Sequence, residues 1–291
     1  FKIAVASGKG GTGKTTVATS LALSRAGRQQ YLVDCDVEAP NAHLFFKLNE
    51  TQHERVTKRI PVVDYEKCTY CGKCAEVCQF NAINVLNKPI LAKQSVLIFK
   101  NLCHSCGACT YICPENAMGE VPVPIGDLHQ FETPEQLQII SGEMQVGTAM
   151  AIPIIQAVQK KAEEVASEAD IIIYDSPPGN SCSVVETVKK VDFVVLVTEP
   201  TPFGLHDLKL TVQLVQDLDK PTGVVINRHG IGNDEVEDFL KEKGIPILMR
   251  IPYDPDIAAK LSLGTPLSKQ SPEWERSFEN LLRSITQEEY A

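Results

Sequence analysis

A short run near the start of the chain has the residue types and spacing that bind phosphate. It reads, in order, Gly8, Lys9, Gly10, Gly11, Thr12, Gly13, Lys14, Thr15 and Thr16. The run fits G-x-x-x-x-G-K-[ST], in which glycines let backbone N–H groups converge on phosphate oxygens. Lys14 is expected to reach the β- and γ-phosphates, and the Thr15 hydroxyl to ligate Mg²⁺. We therefore predict a nucleotide site rather than an ordinary glycine-rich turn.

Carboxylates end two apolar runs elsewhere in the chain. Asp34 and Asp36 follow residues 31–33, and Asp175 follows residues 171–174. Ligands of open α/β sheets bind at the carboxyl ends of strands, so these side chains are expected beside the phosphates. A lone acidic residue after a strand is usually a cap. Its combination with a phosphate loop favours a role in holding Mg²⁺.

Eight of the ten cysteines lie between residues 68 and 113. They form two runs with the spacing C-x2-C-x2-C-x3-C. The first run is Cys68, Cys71, Cys74 and Cys78, and the second is Cys103, Cys106, Cys109 and Cys113, followed by Pro114. Such clustering in a chain that shows no secretion signal indicates metal binding rather than disulfides.

The double run resembles the bacterial two-cluster ferredoxins, in which the fourth cysteine of each run ligates the other cluster. The resemblance implies two [4Fe-4S] clusters. The implied ligand sets are Cys68, Cys71, Cys74 and Cys113 for the first cluster, and Cys103, Cys106, Cys109 and Cys78 for the second. Zinc is the alternative, but zinc sites use separated cysteine pairs, whereas each run here has four. Gln79 departs from the pattern, since ferredoxins usually have proline there. Electron transfer is indicated, and a purely structural role stays open.

The apolar pattern predicts an interrupted α/β fold. Strands are expected at residues 2–6, 31–33, 171–174, 193–197, 223–226 and 247–251, and helices at 14–26, stopping at Gly27, and at 154–166. Short apolar runs that alternate with helices indicate a mostly parallel sheet covered on both faces. Residues 60–118 break this pattern with paired cysteines and short apolar pieces at 83–86 and 96–99. We predict a P-loop ATPase domain from residues 1–59 and 119–291, with a small α+β ferredoxin-like domain inserted at 60–118.

Composition excludes several classes of protein. The 291 residues are 43% hydrophobic, enough for a buried core, and carry a net charge of −9. Nucleic-acid binding depends mostly on lysine and arginine, so no nucleic-acid partner is expected. No run of 18 apolar residues predicts a membrane span. The first residues read as a strand rather than a signal peptide, so a cytoplasmic location is expected. A final amphipathic helix, with an apolar stripe and an acidic polar face, is expected to pack on its own domain.

The run from Lys9 to Thr16 resembles the deviant phosphate loop of the MinD/ParA ATPases, a family of the SIMIBI class that includes the nitrogenase iron protein. The resemblance covers nearly the whole chain outside the cysteine module. It implies that two subunits enclose two ATP molecules, giving a homodimer on ATP binding. Lys9 would then reach the nucleotide bound by the partner, in a role comparable to an arginine finger. Lys9, Lys14 and Asp36 are the implied catalytic residues, with Asp36 orienting the attacking water.

The same resemblance assigns further contacts. Asp34 would be either structural or a Mg²⁺-water contact, and Asp175 would hold Mg²⁺ through water. Pro178 and Gly179 correspond to switch II, which senses the γ-phosphate. The residues that match adenine-contacting segments are Asn227, Arg228 and Pro252. These base contacts carry a weaker signal, because asparagine after a strand is common in turns.

Two cysteines lie outside the runs. Cys35 alternates to the face of its strand opposite the flanking aspartates, so we expect it in the core. Cys182 has a position similar to that of a cysteine in the nitrogenase iron protein that shares a cluster near the dimer axis. A single cysteine is most often a small buried apolar residue, and we favour that interpretation. Whether Cys182 binds a bridging metal or cluster stays open.

The favoured function is a homodimeric ATPase, slow and stimulated by a partner, that couples ATP-driven dimerisation to its ferredoxin module. It would act in electron transfer, or in assembling a metal or iron–sulfur cofactor on a partner protein. The main alternative is a MinD-like spatial regulator with a structural ferredoxin insert. An Mrp-type iron–sulfur carrier would need a C-x-x-C late in the ATPase domain, which this sequence lacks. A ligase of the cobyrinic acid synthase type would need a glutaminase domain.

Overall fold

A computed structural model describes residues 1–24, 29–86, 94–167 and 170–286. The strands are β1 (Lys2–Ala6), β2 (Gln30–Asp34), β3 (Asn49–Val63), β4 (Ile83–Leu86), β5 (Ser95–Ile98), β6 (Met118–Glu132), β7 (Gln138–Met144), β8 (Ile171–Asp175), β9 (Phe193–Thr198), β10 (Thr222–His229) and β11 (Ile247–Pro252). The helices are α1 (Lys14–Ala22), α2 (Lys73–Glu76), α3 (Ala108–Tyr111), α4 (Ile152–Val165), α5 (Cys182–Val188), α6 (Pro202–Asp217), α7 (Glu235–Lys243), α8 (Pro255–Ser262) and α9 (Pro272–Thr286).

The chain divides into two compact units. The first comprises Phe1–Glu54, Asp127–Glu143 and Ala151–Ala291, and the second comprises Arg55–Gly126 and Met144–Met150. Both boundaries between residues 54 and 127 fall inside long strands, so β3 and β6 each contribute residues to both units. The range 60–118, predicted as the insert, lies within the second unit. Its assignment as a ferredoxin-type domain stays a prediction.

A mostly parallel sheet forms the centre of the first unit, as the sequence predicted. The strand order is β11-β10-β9-β1-β8-β2-β7-β6-β3, and every pairing from β11 through β7 is parallel. Val5 of β1 and Asp34 of β2 both pair with Asp175 of β8. The carboxyl ends of the three central strands therefore meet at one edge, where the phosphate loop leaves β1.

The central strands form because nearly all of their residues are apolar and buried on both faces. All five residues of β8 and all six of β9 are buried, which is typical of parallel strands covered by helices. Helix α9 packs its apolar stripe into the same core, as predicted. Its buried residues are Phe278, Leu281, Leu282 and Ile285, with Trp274 packed against them.

Several elements differ from the prediction. Helix α1 ends at Ala22 instead of residue 26, because the chain tightens there: the Ser24 N–H donates to the Leu21 carbonyl at 3.0 Å. The predicted stop at Gly27 lies outside the described residues. Strands β3 and β6, 15 residues each, and β7 were not predicted. The first seven residues of β3 are all exposed, so the strand carries no alternation of apolar and polar residues there.

The second unit contains the short antiparallel pair β4–β5, with Ile83 opposite Ile98. Helices α2 and α3 are single turns, which explains the absence of helical periodicity in the sequence. The unit has two small cores, one around Ile83, Val96, Cys109 and Met118, the other around Ile60, Ala82 and Cys103. In neither unit does a described helix combine the length and apolar character needed to cross a bilayer.

Candidate functional site

The phosphate-binding run forms the connection from β1 to α1, and Lys14, Thr15 and Thr16 open the helix. Gly13 has φ +98°, a left-handed conformation that glycine adopts without steric cost. At Gly8, a Cβ atom would lie 2.5 Å from the Asp207 carbonyl oxygen of α6. A larger residue would therefore strain the backbone dihedral angles at Gly13 and collide with α6 at Gly8.

Lys14 is directed toward a group of carboxylates at the carboxyl ends of β2 and β8. Its side chain is buried, and burial lowers the pKa of its ammonium. Asp175 and Asp36 raise the pKa of Lys14 and so oppose that shift. Burial also raises the pKa of Asp36, which Lys14 partly offsets. The structure thus brings together Lys14, Asp36 and Asp175, as predicted from three separate segments.

Asp175 has a buried carboxylate with few partners inside the protein. It is 1% exposed, and among the described residues no well-formed hydrogen bond satisfies either oxygen, although the Thr15 hydroxyl lies close enough to act on it. Burial and the neighbouring Asp34 raise its pKa to about 8, although the Thr15 hydroxyl and Lys14 lower it in part. The Thr12 hydroxyl is also buried without a partner. Unsatisfied oxygens beside a phosphate loop suit a hard divalent cation, so these residues fit Mg²⁺.

Both carboxylate oxygens of Asp34 accept hydrogen bonds from backbone N–H groups. Its Oδ1 accepts from the Asp36 N–H at 3.0 Å, and its Oδ2 accepts from the N–H groups of Asn41 and Ala42 at 2.9 and 3.0 Å. Burial raises its pKa to about 6, and these three hydrogen bonds limit the rise. The geometry favours the structural role among the two alternatives for Asp34, since it fixes the turn that presents Asp36.

The segment after β8 lies against the phosphate loop. The Gly179 N–H donates to the Ser7 carbonyl at 3.0 Å, and Gly179 has φ +90°. A Cβ atom on Gly10 would lie 3.9 Å from the Cβ of Pro178. The segment containing Pro178 and Gly179 is therefore in direct contact with the phosphate loop, and its role as switch II stays a prediction.

Lys9 forms an ion pair that the sequence did not predict. Its ammonium lies 3.3 Å from Glu199, and Arg228 lies 2.7 Å from the other carboxylate oxygen of Glu199. The Glu199 side chain is 7% exposed, whereas those of Lys9 and Arg228 are 32% and 49% exposed. Two partly exposed cations thus share one buried carboxylate. Glu199 directly follows β9, so the rule that ligands bind at carboxyl strand ends could have singled it out.

Asn227 contacts the phosphate loop. Its Nδ2 donates to the Thr12 carbonyl at 2.8 Å, while its Oδ1 accepts from the Arg228 N–H at 2.9 Å. A Cβ on Gly13 would lie 2.4 Å from that Nδ2. The Nδ2 end of the amide therefore supports the loop while the Oδ1 end is held by the adjacent backbone, a role that the sequence did not indicate. Pro252 ends the neighbouring strand, paired with His229, and adenine contacts of Asn227, Arg228 and Pro252 stay predictions.

The eight clustered cysteines line two cavities of the second unit. The first cavity is lined by Cys68, Cys71, Cys74 and Cys113. The second is lined by Cys78, Cys103, Cys106 and Cys109. We call them cavity one and cavity two. Each contains three cysteines of one run and the fourth of the other.

The two runs fold as a structural repeat, with each residue matched 35 positions later, from Cys68 and Cys103 onward. Gly72 and Gly107 both have positive φ, 86° and 74°, and each precedes a single-turn helix. Asn81 and Asn116 both have φ 50°. The two cavities are therefore built alike, which allows residue-by-residue comparison of their linings.

Backbone N–H groups are directed at three of the cysteine sulfurs. Ala82 donates to Cys78 at 3.3 Å and Ser105 donates to Cys103 at 3.4 Å, both in cavity two. In cavity one, Ala117 donates to Cys113 at 3.3 Å. Across the described residues, no group of three or more His, Cys, Asp or Glu side chains converges closely enough to hold one metal ion.

The family is decided by a match that spans most of the chain. The model of the CobQ/CobB/MinD/ParA nucleotide binding domain matches residues 3–267. The chain belongs to this family. The match includes the phosphate loop, the carboxylates at the ends of β2 and β8, and the segment containing Asn227.

Known proteins extend the comparison. MJ0578 of Methanocaldococcus jannaschii, an uncharacterised protein, is 32% identical and is covered over 98% of each chain. An iron-sulfur cluster carrier protein of Aquifex aeolicus is 26% identical over 98% of this chain and 67% of its own length. The septum site-determining protein MinD of Pyrococcus horikoshii, complexed with Mg-ADP, matches with a TM-score of 0.58, 20% identity and coverage of 98% and 96%. At that identity the likeness to MinD concerns the fold alone.

The two remaining cysteines of this CobQ/CobB/MinD/ParA chain differ in environment. Cys35 is completely buried, as predicted, and burial raises the pKa of its thiol. Cys182 is exposed as the first residue of α5, so the expectation of a buried apolar role was wrong. The reason is that α5 buries Val184 and Val188 and turns its first residue to solvent.

Proposed function

We propose that this chain is a Mg²⁺-dependent ATPase whose ATP-driven dimerisation is coupled to two [4Fe-4S] clusters in its second unit. It would serve electron transfer, or the assembly of an iron–sulfur or metal cofactor on a partner protein. The observation that carries the proposal is that one chain combines the phosphate loop and Lys9 of this ATPase family with two four-cysteine cavities.

The nucleotide half of the proposal rests on the group around Lys14. An ATP phosphate chain would bring negative charge to Lys14, whose burial otherwise disfavours its charged form. Thr15 and Asp175 would hold Mg²⁺, directly and through water. When bound, Mg²⁺ would neutralise charge on the β- and γ-phosphates. Asp36, whose charge acts on Lys14, would orient a water molecule for attack on the γ-phosphate.

The nucleotide half of the proposal also includes a dimer, and this part rests on Lys9. In the structure of the single chain, the Lys9 ammonium forms an ion pair with Glu199 of the same chain. Dimerisation would transfer Lys9 from that carboxylate to the partner's phosphates, where it stabilises charge in the transition state. Since two subunits would exchange lysines, hydrolysis would require the dimer.

The iron–sulfur half rests on the composition of the cavities. Each holds four thiols, with the fourth taken from the other run, as the ferredoxin resemblance implies. A cubane spreads its four thiolate ligands around a volume, whereas a zinc ion draws them to one centre at about 2.3 Å. Backbone N–H groups directed at sulfur are a further feature of such sites, because they stabilise the negative cluster.

Anaerobic reconstitution of the chain with iron and sulfide tests the iron–sulfur half. We expect about eight iron atoms per chain, corresponding to two four-iron clusters. The exposed Cys182 offers a matched control, since Cys182→Ser should retain the full iron content. Stoichiometric zinc with no iron uptake would refute this half of the proposal.

Nucleotide binding by the reconstituted chain tests the other half. Lys14→Ala should abolish ATP turnover, because the buried ammonium is the side chain that faces the phosphates. Lys209→Ala, in α6, should leave turnover intact. Undiminished hydrolysis by Lys14→Ala would refute the assignment of the site.

The family match, which includes MinD, favours a second candidate, a spatial regulator that uses the same ATP cycle. Such a protein would bind a membrane or scaffold in an ATP-dependent way. Co-sedimentation with anionic lipid vesicles, with and without Mg-ATP, separates the two functions. ATP-dependent sedimentation would support the regulator, and its absence together with iron binding supports the redox function.

A further inference from the structure

The two cysteine cavities are built alike but differ in the charges near them. Lys73 and Glu115 of cavity one, both exposed, correspond to Ala108 and Phe80 of cavity two, and Val85 corresponds to Glu120. Lys73 is an exposed side chain, so solvent screens its charge. Glu120 is neutralised by Arg59, whose Nε lies 2.8 Å from its carboxylate. The lining residues alone therefore leave little net charge at either cavity.

Lys58 breaks this balance at cavity two. Its side chain is buried, 9% exposed, and its ammonium donates to the carbonyl oxygens of Lys100 and Cys103 at 2.9 and 3.2 Å. Carboxylates form no ion pair with Lys58 in the described part of the chain. The ammonium is therefore a positive charge fixed beside the backbone of a cavity-two cysteine, without a neutralising neighbour. Among the described residues lining cavity one, the only lysine is the exposed Lys73.

The hydrogen bonds to sulfur, like the charge of Lys58, favour the reduced form of a cluster more strongly in cavity two than in cavity one. Among the described residues, cavity two has two backbone N–H donors directed at its sulfurs, at Cys78 and Cys103, and cavity one has one, at Cys113. Positive charge and hydrogen bonds to sulfur both stabilise the reduced, more negative form of a cluster. Burial of Cys103 and Cys109 opposes this effect, because low dielectric disfavours added charge. The same low dielectric strengthens the attraction of Lys58, which pairs with no carboxylate among the described residues.

We propose that Lys58 sets the order of reduction of the two clusters, by holding the reduction potential at cavity two above that at cavity one. This inference rests on the proposed iron–sulfur function. One electron supplied by an external one-electron reductant would then reside at cavity two, and a second electron would be needed to reduce cavity one. Lys58 would not contact the cluster; its positive charge would act on the cluster through space and so determine which cluster is reduced first.

A redox titration of the anaerobically reconstituted full chain, followed by electron paramagnetic resonance, tests the proposal. Lys58→Gln removes the charge but keeps an amide that can donate to the same carbonyls. We expect it to lower the higher of the two potentials and to leave the lower one in place. Lys58→Arg should restore the higher potential. Lys73→Met, at the exposed lysine of cavity one, should move either potential much less than Lys58→Gln does.

Iron content separates the failure of this inference from failure of the proposed function. If the wild-type chain binds no iron, the proposed function fails. If Lys58→Gln carries full iron and both potentials equal those of the wild type, the inference about Lys58 is wrong. Should Lys58→Gln not load iron, Cys106→Ser in the wild-type background identifies the potential that belongs to cavity two. A shift of the lower potential in that variant would overturn the proposed order.

Discussion

The ammonium of Lys9 lies 3.3 Å from the carboxylate of Glu199, which is almost fully buried. Arg228 contacts the same carboxylate from the other oxygen. The lysine proposed to act on the nucleotide of a partner subunit is therefore paired within its own subunit. Under the proposed function, this ion pair would oppose dimerisation until nucleotide offers Lys9 a better partner.

Replacing Glu199 with glutamine tests this opposition. Glu199→Gln preserves the size of the side chain and removes its charge, so Lys9 is released. Because each partly exposed ion pair contributes less than about 1 kcal/mol and the symmetric dimer breaks two of them, the dissociation constant of the ATP-bound dimer should fall by up to about thirtyfold. Analytical ultracentrifugation with Mg-ATP measures this constant. Glu275→Gln, which breaks the exposed pair with Lys269, is the control and should leave it unchanged. Weaker dimerisation by Glu199→Gln would contradict the account.

Asp175 makes the stability of the nucleotide-free chain depend on pH. Its pKa in the folded chain is raised to about 8 by burial, above the ordinary value of 3.8. The folded state thus holds a proton that the unfolded state releases, so the free energy of unfolding falls as pH rises from about 4 to about 8. Asp175→Asn should remove this contribution, and its Tm should exceed that of wild type by a margin that grows with pH.

Thermal unfolding of both chains at pH 5, 6.5 and 8, without nucleotide or Mg²⁺, measures the margin. Asp256→Asn, on the exposed first turn of α8, is the control and should follow wild type at every pH. Because Mg²⁺ favours the ionised carboxylate, adding Mg-ATP should raise the Tm of wild type more than that of Asp175→Asn. A margin that shrinks as pH rises would contradict the assignment of a raised pKa.

Substitution of Asn227 distinguishes between two roles for its side chain, support of the phosphate loop and recognition of the adenine base. Asn227→Ala removes the hydrogen bond from Nδ2 to the Thr12 carbonyl, which should lower the free energy of unfolding by about 1 kcal/mol. If its role is loop support, affinities for ATP and GTP should fall by the same factor. A loss confined to ATP would instead indicate recognition of adenine. Isothermal titration with both nucleotides distinguishes the two, with Asn233→Ala as the control.

Serine substitutions test the crossed ligand sets. Cys113 belongs to the second run in sequence but lines cavity one with Cys74. Cys113→Ser and Cys74→Ser should therefore alter the same electron paramagnetic resonance signal of the reduced protein, and Cys109→Ser should alter the other. Grouping of Cys113→Ser with Cys109→Ser would show that each run ligates its own cluster.

Sequence reasoning predicted the first unit best where a strand is apolar throughout. We could assign the strand at residues 171–174 and the phosphate-binding run from Gly8 to Thr16, because buried parallel strands and phosphate loops have strong local patterns. The long strand β3 could not, because its exposed half has no apolar face. Contacts between distant segments were also missed: Glu199 with Lys9, and Asn227 with Thr12, depend on which strands are neighbours in the sheet.

The cysteine module illustrates the opposite case. The spacing of the two runs predicted which four cysteines would share each cavity, because the resemblance to two-cluster ferredoxins includes the crossing of the fourth cysteine. Lys58 was not predicted, because a lysine in a polar strand carries no signal of burial. Cys182 was misjudged because its exposure depends on how α5 packs, which a lone cysteine does not indicate.

The central claim is that one molecule carries both the nucleotide-driven dimer and the iron–sulfur clusters. Anaerobic sedimentation of the iron-loaded Asp36→Ala variant, followed at a wavelength absorbed by the clusters, tests it most directly. Asp36→Ala should bind ATP without hydrolysing it, so that adding Mg-ATP shifts the iron-containing species from the mass of a monomer to that of a dimer. An iron-containing species that keeps its mass at saturating Mg-ATP would contradict the account.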